Sequence, residues 1–204
     1  MTSRKEREGE WRRKEILKAA EMLFAKQGFF KTAMADISKA SEFPLATIYK
    51  FFSGKENIYH TLINVKADRF LAIQKDALGR IKSAKAKLKA LAEQHLKFFE
   101  ENRDFLKIYI SERSGLVITL KDDLHGFIQK KHEEYVRVIT EILKKGIERR
   151  EFKKVDPLKM AVLMVGALDD LTYRWITEKN NETLSENLEF LLNVLFTGIE
   201  RSNS

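Results

Sequence analysis

The stretch between residues 12 and 58 contains three short segments with helical spacing, and their order restricts the folds open to the chain. In the first segment, apolar residues recur every three or four positions until Gly28, a residue that commonly ends helices because it adopts left-handed backbone at little cost. The second segment spans about two turns. The third extends from Leu45 to Phe52 and follows Pro44, which suits the first position of a helix because proline has no N–H to leave unpaired. Three short helices with a tight turn before the third are typical of a helix-turn-helix unit that reads duplex DNA.

The third segment separates into two faces when it is drawn as a helix. Ile48 and Phe52 are four residues apart and share the face that we expect to be buried. The other face carries Ala46, Thr47 and Lys50. We therefore expect this second face to be available to a partner.

The positive charge of the chain is concentrated near its N-terminus. The formal net charge is +8, and the first 55 residues contain 12 Lys/Arg against 7 Asp/Glu. A basic end of this kind is typical of a nucleic-acid-binding protein. Charge alone does not decide this, because a solvated charged surface has the same composition. Residues 1–11 lack periodicity and are predicted to form a basic mobile arm, in which Arg4, Lys5 and Arg7 either add phosphate contacts or have no role.

Several residues at fixed spacing carry a resemblance to a known family. They are Gly28-Phe29, Thr32, Asp36-Ile37, Thr47-Ile48-Tyr49, Phe51-Phe52 and Lys55-Glu56. With this pattern the segment resembles the N-terminal signature of the TetR family of transcriptional repressors. The remainder of the chain is similar to that family only in its length and its helical pattern.

The resemblance implies a role for individual residues at a DNA operator. Thr47 and Lys50 would face base edges in the major groove, and the Tyr49 hydroxyl would contact a phosphate. Thr32 would lie beside the DNA backbone, and Lys55 would neutralise a phosphate at the start of the fourth helix. The implied function is a sequence-specific regulator, expected to be a repressor, that a small molecule releases from a palindromic operator.

The chain also departs from the family pattern, mostly at positions that carry polar groups. Ala33 stands where a Ser or Thr usually caps the second helix, Pro44 where Ser is common, and Ala46 where Gly is common. Phe51 stands where a hydrogen-bonding aromatic residue or His is frequent. Fewer phosphate contacts are therefore expected, while Leu45 and Ala46 are expected to add apolar contacts with thymine methyl groups.

The composition argues against several other classes of protein. The chain has no cysteine, which excludes a disulfide framework and a thiolate metal site. The N-terminal residues lack the apolar core of a secretory signal, and the longest apolar run, Met160 to Leu168, is far shorter than a bilayer-spanning helix. We therefore expect a soluble cytoplasmic protein without membrane contact and without a cofactor.

Hydrophobic periodicity predicts an all-α second domain beyond the helix-turn-helix unit. Its helices are expected over residues 55–78, 84–100, 105–110, 122–150, 157–178 and 184–201, which gives about nine helices for the whole chain. The predicted domains are an arm over residues 1–11, a helix-turn-helix DNA-binding domain over 12–54, and a ligand-binding and dimerisation domain over 55–204.

The last two predicted helices are apolar on more than one side. A helix that is apolar all round must be buried all round, but a surface helix of a monomer has only one side to bury. We therefore expect these helices to pack on their own chain and on the same pair from a second subunit, as a two-fold symmetric four-helix interface. The predicted interface residues are Leu168, Leu188, Leu191, Leu195 and Ile199.

The interior of the second domain is expected to hold a small-molecule effector. Aromatic and Met side chains at helical spacing are more often simple core, but the family resemblance implies a cavity there. Asp169 and Asp170 interrupt an apolar helix, so one is expected to meet solvent or a basic residue and the other to anchor a cationic or hydrogen-bonding ligand. A lipophilic effector fits the same pattern. The predicted pocket residues are His95, Phe98, Phe99, Tyr109, Phe127, Tyr135, Met164, Asp169 and Tyr173.

A helical enzyme and a helix-turn-helix scaffold that contacts only proteins are the alternative functions. The enzyme is disfavoured because the sequence has no Gly-rich phosphate loop, His-Glu-x-x-His or Ser nucleophile motif. Thr47, Lys50 and Lys55 distinguish a DNA-binding protein from such a scaffold, because DNA binding requires these residues and contact with proteins alone does not. His125 and His132 are seven residues apart, whereas a two-histidine metal site favours a spacing of four, so no metal site is expected.

Overall fold

The computed structural model describes the backbone of residues 3–79, 81–113, 122–178 and 184–199, and the side chains of the same ranges except 112–113, 122–127 and 184–186. Within these ranges the chain forms nine α-helices, which confirms the predicted all-α fold. The helices are α1 (Arg4–Lys31), α2 (Met34–Ser41), α3 (Leu45–Tyr49), α4 (Lys55–Leu78), α5 (Ala84–Glu101), α6 (Arg103–Arg113), α7 (Asp122–Glu148), α8 (Pro157–Thr177) and α9 (Leu184–Ile199).

The chain divides into two compact units. Unit 1 consists of residues 1–67 and 104–128, and unit 2 consists of residues 68–103 and 129–204. This division differs from the expected boundary after residue 54, because the first half of α4 packs on α1 within unit 1. The ring centroids of Phe24 and Tyr59 are 5.0 Å apart, and the Lys66 ammonium lies 2.8 Å from the Glu21 carboxylate.

The first helix begins earlier than the sequence pattern predicts. The N–H of Glu6 donates to the Ser3 hydroxyl at 3.2 Å, and the N–H of Ser3 donates to the Glu6 carboxylate at 2.6 Å, which is a complete capping box. α1 therefore starts at Arg4, and the expected arm without regular structure is wrong for residues 4–11. Hydrophobic periodicity does not detect these turns because nearly all of their side chains are charged and exposed.

The predicted break of the first helix at Gly28 is present. Gly28 has φ 80° and ψ 165°, a backbone conformation that side chains with a Cβ rarely adopt, and one further turn follows it to Lys31. The glycine thus redirects the chain between the long part of α1 and the turn that leads into α2.

The third helix is shorter than predicted and starts differently. α3 has 5 residues and ends at Tyr49, although the N–H groups of Phe51 and Phe52 still donate to the Ile48 carbonyl at 2.9 and 3.0 Å. Pro44 is the N-cap residue with an extended ψ of 144°, and is not the first helical residue as expected. Its lack of an N–H remains compatible with this place, since an N-cap N–H receives no helical partner either.

The core of unit 1 is built from branched apolar side chains of its first four helices. One residue from each of these helices is completely buried, and together they are Ile16, Ile37, Ile48 and Ile58. Burying such side chains stabilises the unit by roughly 1.5–3 kcal/mol each. The short helices α2 and α3 depend on this burial because isolated helices of their length are not stable in water.

The core of unit 2 is formed by α5, α7, α8 and α9, with the last part of α4. α7 approaches the segment that follows it very closely at Gly146, where an added Cβ would lie 2.4 Å from the ring of Phe152. Asp156 then caps α8, and its carboxylate accepts hydrogen bonds from the N–H groups of Leu158 and Lys159 at 3.0 and 3.1 Å. This confirms the helix start predicted from the Asp-Pro pair.

Candidate nucleic-acid interface and ligand site

α3 exposes a compact surface because its opposite face is anchored in unit 1. Ile48 and Phe52 are buried, whereas Ala46 and Lys50 are exposed and Thr47 is half-buried. The exposed face also carries two large side chains, Leu45 and Tyr49. A protruding short helix with a fixed inner face and a mixed apolar and basic outer face has the form required to enter a DNA major groove.

Thr32 is not on this surface, contrary to the role that the family resemblance implies. Its side chain is 1% exposed, and its hydroxyl donates to the Gly28 carbonyl at 2.8 Å and accepts from the Gln27 amide at 3.3 Å. Thr32 therefore closes the turn between α1 and α2, and a direct contact of its hydroxyl with DNA is wrong for this structure.

Ala33 occupies the N-cap position of α2 and is exposed. The Asp36 carboxylate accepts a hydrogen bond from the N–H of Ala33 at 2.8 Å, which is one half of a capping box. The other half is missing, because an alanine side chain has no acceptor for the N–H groups of the first turn. The α2 terminus therefore lacks the polar side chain that would otherwise reach a phosphate.

Lys55 is engaged within unit 1. Its ammonium donates to the carbonyl of Phe29 at 2.9 Å and lies 4.2 Å from the centroid of the Phe29 ring. The lysine thereby joins the start of α4 to the end of α1, and it combines a charge-assisted hydrogen bond with a cation–π contact. Its predicted role as a phosphate ligand stays a prediction, because the ammonium has donors besides the one that binds Phe29. Sequence patterns miss the contact because it joins residues 26 positions apart.

Unit 2 encloses a cluster of aromatic rings. Phe70 of α4 lies at its centre, with ring centroids 5.0 Å from Tyr135, 5.2 Å from Phe98 and 5.5 Å from His95. The predicted pocket residues inside or beside this cluster are buried, namely His95, Phe98, Phe99, Tyr135 and Met164. Phe70 is absent from the predicted set because it lies on a helix that begins in the other unit.

Asp169 brings negative charge to the edge of this aromatic cluster. Its carboxylate oxygens lie 3.7 Å from Nε2 of His95 and 4.0 Å from Nδ1 of His132. Asp170, the neighbouring carboxylate, points outward and pairs with the Arg174 guanidinium at 2.9 Å. Of the two acidic residues, only Asp169 therefore belongs to the interior of unit 2. His132 joins this site although the sequence pattern does not single it out as a pocket residue.

Burial controls the charge of His95. Neither ring nitrogen of His95 has a hydrogen-bond partner among the described residues. Burial, together with the smaller electrostatic effect of His132, lowers the pKa of His95 from 6.5 to about 3. The His95 ring is therefore neutral at physiological pH, so the carboxylate of Asp169 faces an uncharged imidazole on that side.

Two predicted pocket residues, Tyr173 and Tyr109, lie elsewhere. Tyr173 is 47% exposed on the outer side of α8, so its assignment to the pocket is wrong. Tyr109 belongs to unit 1, where its ring lies 6.3 Å from that of Phe105. The side chain of Phe127 lies outside the described residues. Helical periodicity fails for Tyr173 because α8 has apolar residues on several faces, and the period alone does not identify the inner one.

The predicted dimer-interface residues face the core of their own chain. Leu168, Leu188 and Ile199 are buried within unit 2, and Leu191 and Leu195 are packed partly buried against the same core. Leu168, Leu188 and Ile199 are therefore too deeply buried to meet a second subunit, and their assignment to the interface is wrong. Leu191 and Leu195 remain partly exposed, so their place in an interface stays a prediction.

A different face of the last two helices remains uncovered in the single chain. On α9, Phe190 is 72% exposed and Val194 is 56% exposed. On α8, Val162 and Leu163 are exposed to a similar degree. We call these four residues the outer face of α8 and α9. Isolated exposed apolar residues are ordinary, but large ones at consecutive turns of two contacting helices are typical of an interaction surface.

The part of the chain that the structure describes contains no group of three or more His, Cys, Asp or Glu residues arranged to hold a metal ion. The side chain of His125 is not among the described residues. None of the described helices is both long and apolar enough to cross a membrane.

Two family models match the chain. One is described as bacterial regulatory proteins of the tetR family and covers residues 16–62. The other is described as the tetracyclin repressor-like C-terminal domain and covers residues 82–198. The first match contains the helix-turn-helix surface. The second contains the residues of the aromatic cluster other than Phe70, together with all of α8 and nearly all of α9.

Individual relatives share the same organisation along nearly their full length. The fatty acid metabolism regulator protein of Bacillus subtilis is 22% identical over 186 residues, which is 91% of this chain and 94% of that protein. A protein from Saccharomonospora viridis, solved in complex with choline, is similar with a TM-score of 0.82 at 20% identity, covering 93% of this chain and 98% of its own. AibR, solved with isovaleryl coenzyme A and operator DNA, has a TM-score of 0.75 at 20% identity, covering 91% of this chain and 98% of its own.

An exposed helix-turn-helix surface joined to an all-helical second unit defines a DNA-binding transcriptional regulator. The two matched models specify the class further: the chain belongs to the TetR family of bacterial regulatory proteins. Proteins of this family are transcription regulators and not enzymes, which settles the first of the alternative functions.

Because His95 is neutral in the folded chain, we expect it to make the free energy of unfolding decrease at acidic pH. Because its pKa is lower in the folded chain than in the unfolded chain, the unfolded chain binds more protons below pH 6.5. Its contribution to stability is therefore complete above pH 6.5 and falls by about 1.4 kcal/mol per pH unit toward pH 3. We expect His95→Phe to reduce the loss of unfolding free energy between pH 7 and pH 5 by roughly 2 kcal/mol, measured by urea denaturation.

The matched control for this experiment is His60→Phe, which replaces a half-buried histidine of α4. The control variant should lose as much stability as the wild type between the two pH values. An equal loss in wild type and His95→Phe would contradict the account of His95, whatever the absolute stability of the variant.

Proposed function

We propose that this protein is a homodimeric repressor that binds a palindromic operator in the cytoplasm and releases it when a small molecule enters unit 2. The observation that carries the proposal is the outer face of α3, which is exposed above the buried anchors Ile48 and Phe52. Membership of the TetR family supports a regulator, and AibR, a structural relative, is known with operator DNA and an acyl coenzyme A.

In the proposed complex α3 lies in the major groove. Lys50 and Thr47 reach base edges, and Leu45 and Ala46 contact thymine methyl groups. The Tyr49 hydroxyl, on an exposed ring, donates to a phosphate. Thr32 is buried and Ala33 has no polar side chain, so the start of α2 offers few phosphate ligands. Recognition of the operator therefore depends more on α3 than the family pattern implies.

Substitutions on α3 test this docking mode. We expect Lys50→Ala to weaken binding to an operator by about 5- to 150-fold per half-site and to relax specificity at one base position of each half-site, because a base contact contributes about 1–3 kcal/mol. Tyr49→Phe should lower the affinity for operator DNA and for scrambled DNA by the same factor, smaller than that of Lys50→Ala, because a phosphate contact carries no sequence information. The measurement is fluorescence anisotropy with an operator selected from random duplexes.

Lys144→Ala is the control, because Lys144 is an exposed lysine of α7 in unit 2 and its loss changes the net charge equally. It should bind as the wild type does. If Lys50→Ala and Tyr49→Phe both bind like the control, the proposed role of α3 is wrong, and a scaffold that contacts only proteins becomes the better explanation.

The outer face of α8 and α9 supports a dimer of this chain. Phe190, Val194, Val162 and Leu163 are too exposed to be stabilised by their own subunit. A two-fold axis beside this face would pair α8 and α9 with their copies as four helices, which buries the same residues on both subunits. A dimer also places two α3 helices on the two half-sites of a palindrome, which a monomer cannot read simultaneously.

A charge placed on this face is expected to separate the subunits. The chain has a mass of 23.8 kDa, so sedimentation velocity distinguishes the monomer from the dimer clearly. We expect the wild type to sediment as a dimer and Phe190→Glu as a monomer, because burying an unpaired carboxylate is strongly unfavourable. Phe30→Glu is the control, since Phe30 of α1 is a similarly exposed phenylalanine outside the face. A dimeric Phe190→Glu variant, or a monomeric wild type, would refute this interface.

The cluster around Asp169 supports an effector that has an apolar body and one cationic or hydrogen-bond-donating group. Phe70, Phe99 and Tyr135 offer aromatic faces, and Asp169 supplies a carboxylate opposite a neutral His95. Aromatic rings and a carboxylate together favour a cation over an anion. A structural relative binds choline, whereas others are associated with fatty acids or an acyl coenzyme A, so a purely lipophilic effector is the alternative.

A thermal-shift screen of quaternary ammonium and acyl compounds distinguishes these effectors. We expect a binding compound to raise the melting temperature and to lower operator affinity, because linkage makes ligand and DNA oppose each other reciprocally. Asp169→Asn should weaken the binding of a cationic compound at least tenfold, whereas Asp170→Asn, a change on the outer side of α8, should not. Equal affinity in the wild type and both variants would remove Asp169 from the site.

A further inference from the structure

The N-terminal turns of α1 lie against the part of unit 1 that positions α3. The ring of Trp11 meets that of Phe43, just before α3, with centroids 5.8 Å apart in an edge-to-face arrangement. Two residues further along α1, the guanidinium of Arg13 lies 4.8 Å from the centroid of the Phe52 ring. We refer to residues 3–13 as the α1 extension.

Gly9 provides a further close approach in the same region. A Cβ added at Gly9 would lie 3.8 Å from the ring of Phe51, which is ordinary van der Waals contact. The α1 extension therefore touches the chain on both sides of α3: at Phe43 before it, and at Phe51 and Phe52 after it. These contacts restrain the orientation of a helix that has only 5 residues of its own.

The α1 extension is also basic. It carries five Lys or Arg residues against three Glu residues. Two of the three carboxylates have partners within the helix, since Glu6 completes the capping box of Ser3 and Glu8 pairs with Arg12. Arg4 and Lys5, at the start of the helix, are exposed. The extension therefore has a formal net charge of +2, from five cations and three carboxylates, and Arg4 and Lys5 face solvent.

We propose that the α1 extension is a second DNA-contacting element, in which Arg4 and Lys5 bind operator phosphates while Trp11 and its neighbours set the orientation of α3. This inference rests on the proposed function, because it requires α3 to lie in a major groove. A rigid helix that touches both ends of α3 then runs beside the groove, where the sugar-phosphate backbone lies. The contacts with Phe43, Phe51 and Phe52 distinguish this element from an unattached basic tail.

The phosphate contacts are tested with Arg4→Ala/Lys5→Ala in the full-length protein. Each lost phosphate contact makes the slope of log affinity against log salt less negative by about one. The double variant removes two contacts from each subunit of the proposed dimer, so the slope should change by about four. Its affinity should fall by the same factor for operator and scrambled DNA. The difference from the wild type should shrink roughly a hundredfold between 50 and 200 mM salt.

The matched control is Lys18→Ala/Lys26→Ala, which removes two exposed lysines from the same helix outside the extension. It should leave both affinity and salt slope unchanged. If Arg4→Ala/Lys5→Ala keeps the wild-type slope, or if the control changes it equally, the phosphate contacts are refuted. If the wild type itself selects no operator, the proposed function fails as well, and this outcome is distinct from the first two.

The orienting role is tested with Trp11→Ala. It should lower the ratio of operator to scrambled affinity without changing the salt slope, because Trp11 acts through Phe43 and not through a phosphate. Trp11→Phe retains an edge-to-face partner for Phe43 and should restore most of the ratio. Circular dichroism checks that Trp11→Ala is folded, which is expected for a side chain that is 55% exposed. An unchanged affinity ratio in folded Trp11→Ala refutes the orienting role.

Discussion

The burial of Ile48 and Phe52 is the interaction on which the DNA-reading surface depends. A helix of 5 residues gains too few hydrogen bonds to offset its own ordering, so α3 is stable only through the side chains on its inner face. α1, α2 and the start of α4 each contribute a fully buried residue to the same core, namely Ile16, Ile37 and Ile58. Polar contacts in unit 1 also hold these helices in place. Thr32 closes the turn from α1 to α2, and Lys55 joins α4 to the carbonyl of Phe29.

A second constraint acts on unit 2, where α8 and α9 carry more apolar surface than one subunit covers. Leu188 and Ile199 are buried in the core of their own chain, whereas Phe190 and Val194 are exposed to solvent. A homodimer resolves this excess without further sequence change, and it also supplies the second α3 helix that a palindrome requires. In the same unit, Asp169 sits at the edge of an aromatic cluster beside a histidine that burial keeps neutral. The proposed regulator thus combines a reading surface in unit 1 with a ligand site in unit 2.

Sequence patterns predict the helices well but their faces less well. The bounds of α2, α5 and α8 agree closely with the periodicity, and the break at Gly28 follows from the conformational freedom of glycine. The α1 extension was missed, although its Ser-x-x-Glu capping box is visible in the sequence, because its charged residues show no apolar stripe. On α8 and α9 the opposite difficulty arises. Tyr173 and the buried residues Leu168, Leu188 and Ile199 are predicted on the wrong side, because a helix that is apolar on several sides does not reveal which side is inner. Lys55 and Phe70 owe their positions to contacts between distant residues, which no local pattern encodes.

Footprinting on the DNA upstream of the gene for this protein shows whether the chain reads a specific DNA sequence as a two-fold symmetric pair. We expect one protected segment with an inverted repeat, whose half-site centres are about one helical turn, or a multiple of it, apart. A competing duplex without the repeat should remove this protection poorly. The absence of protection at any concentration, or uniform protection without sequence preference, would contradict this expectation.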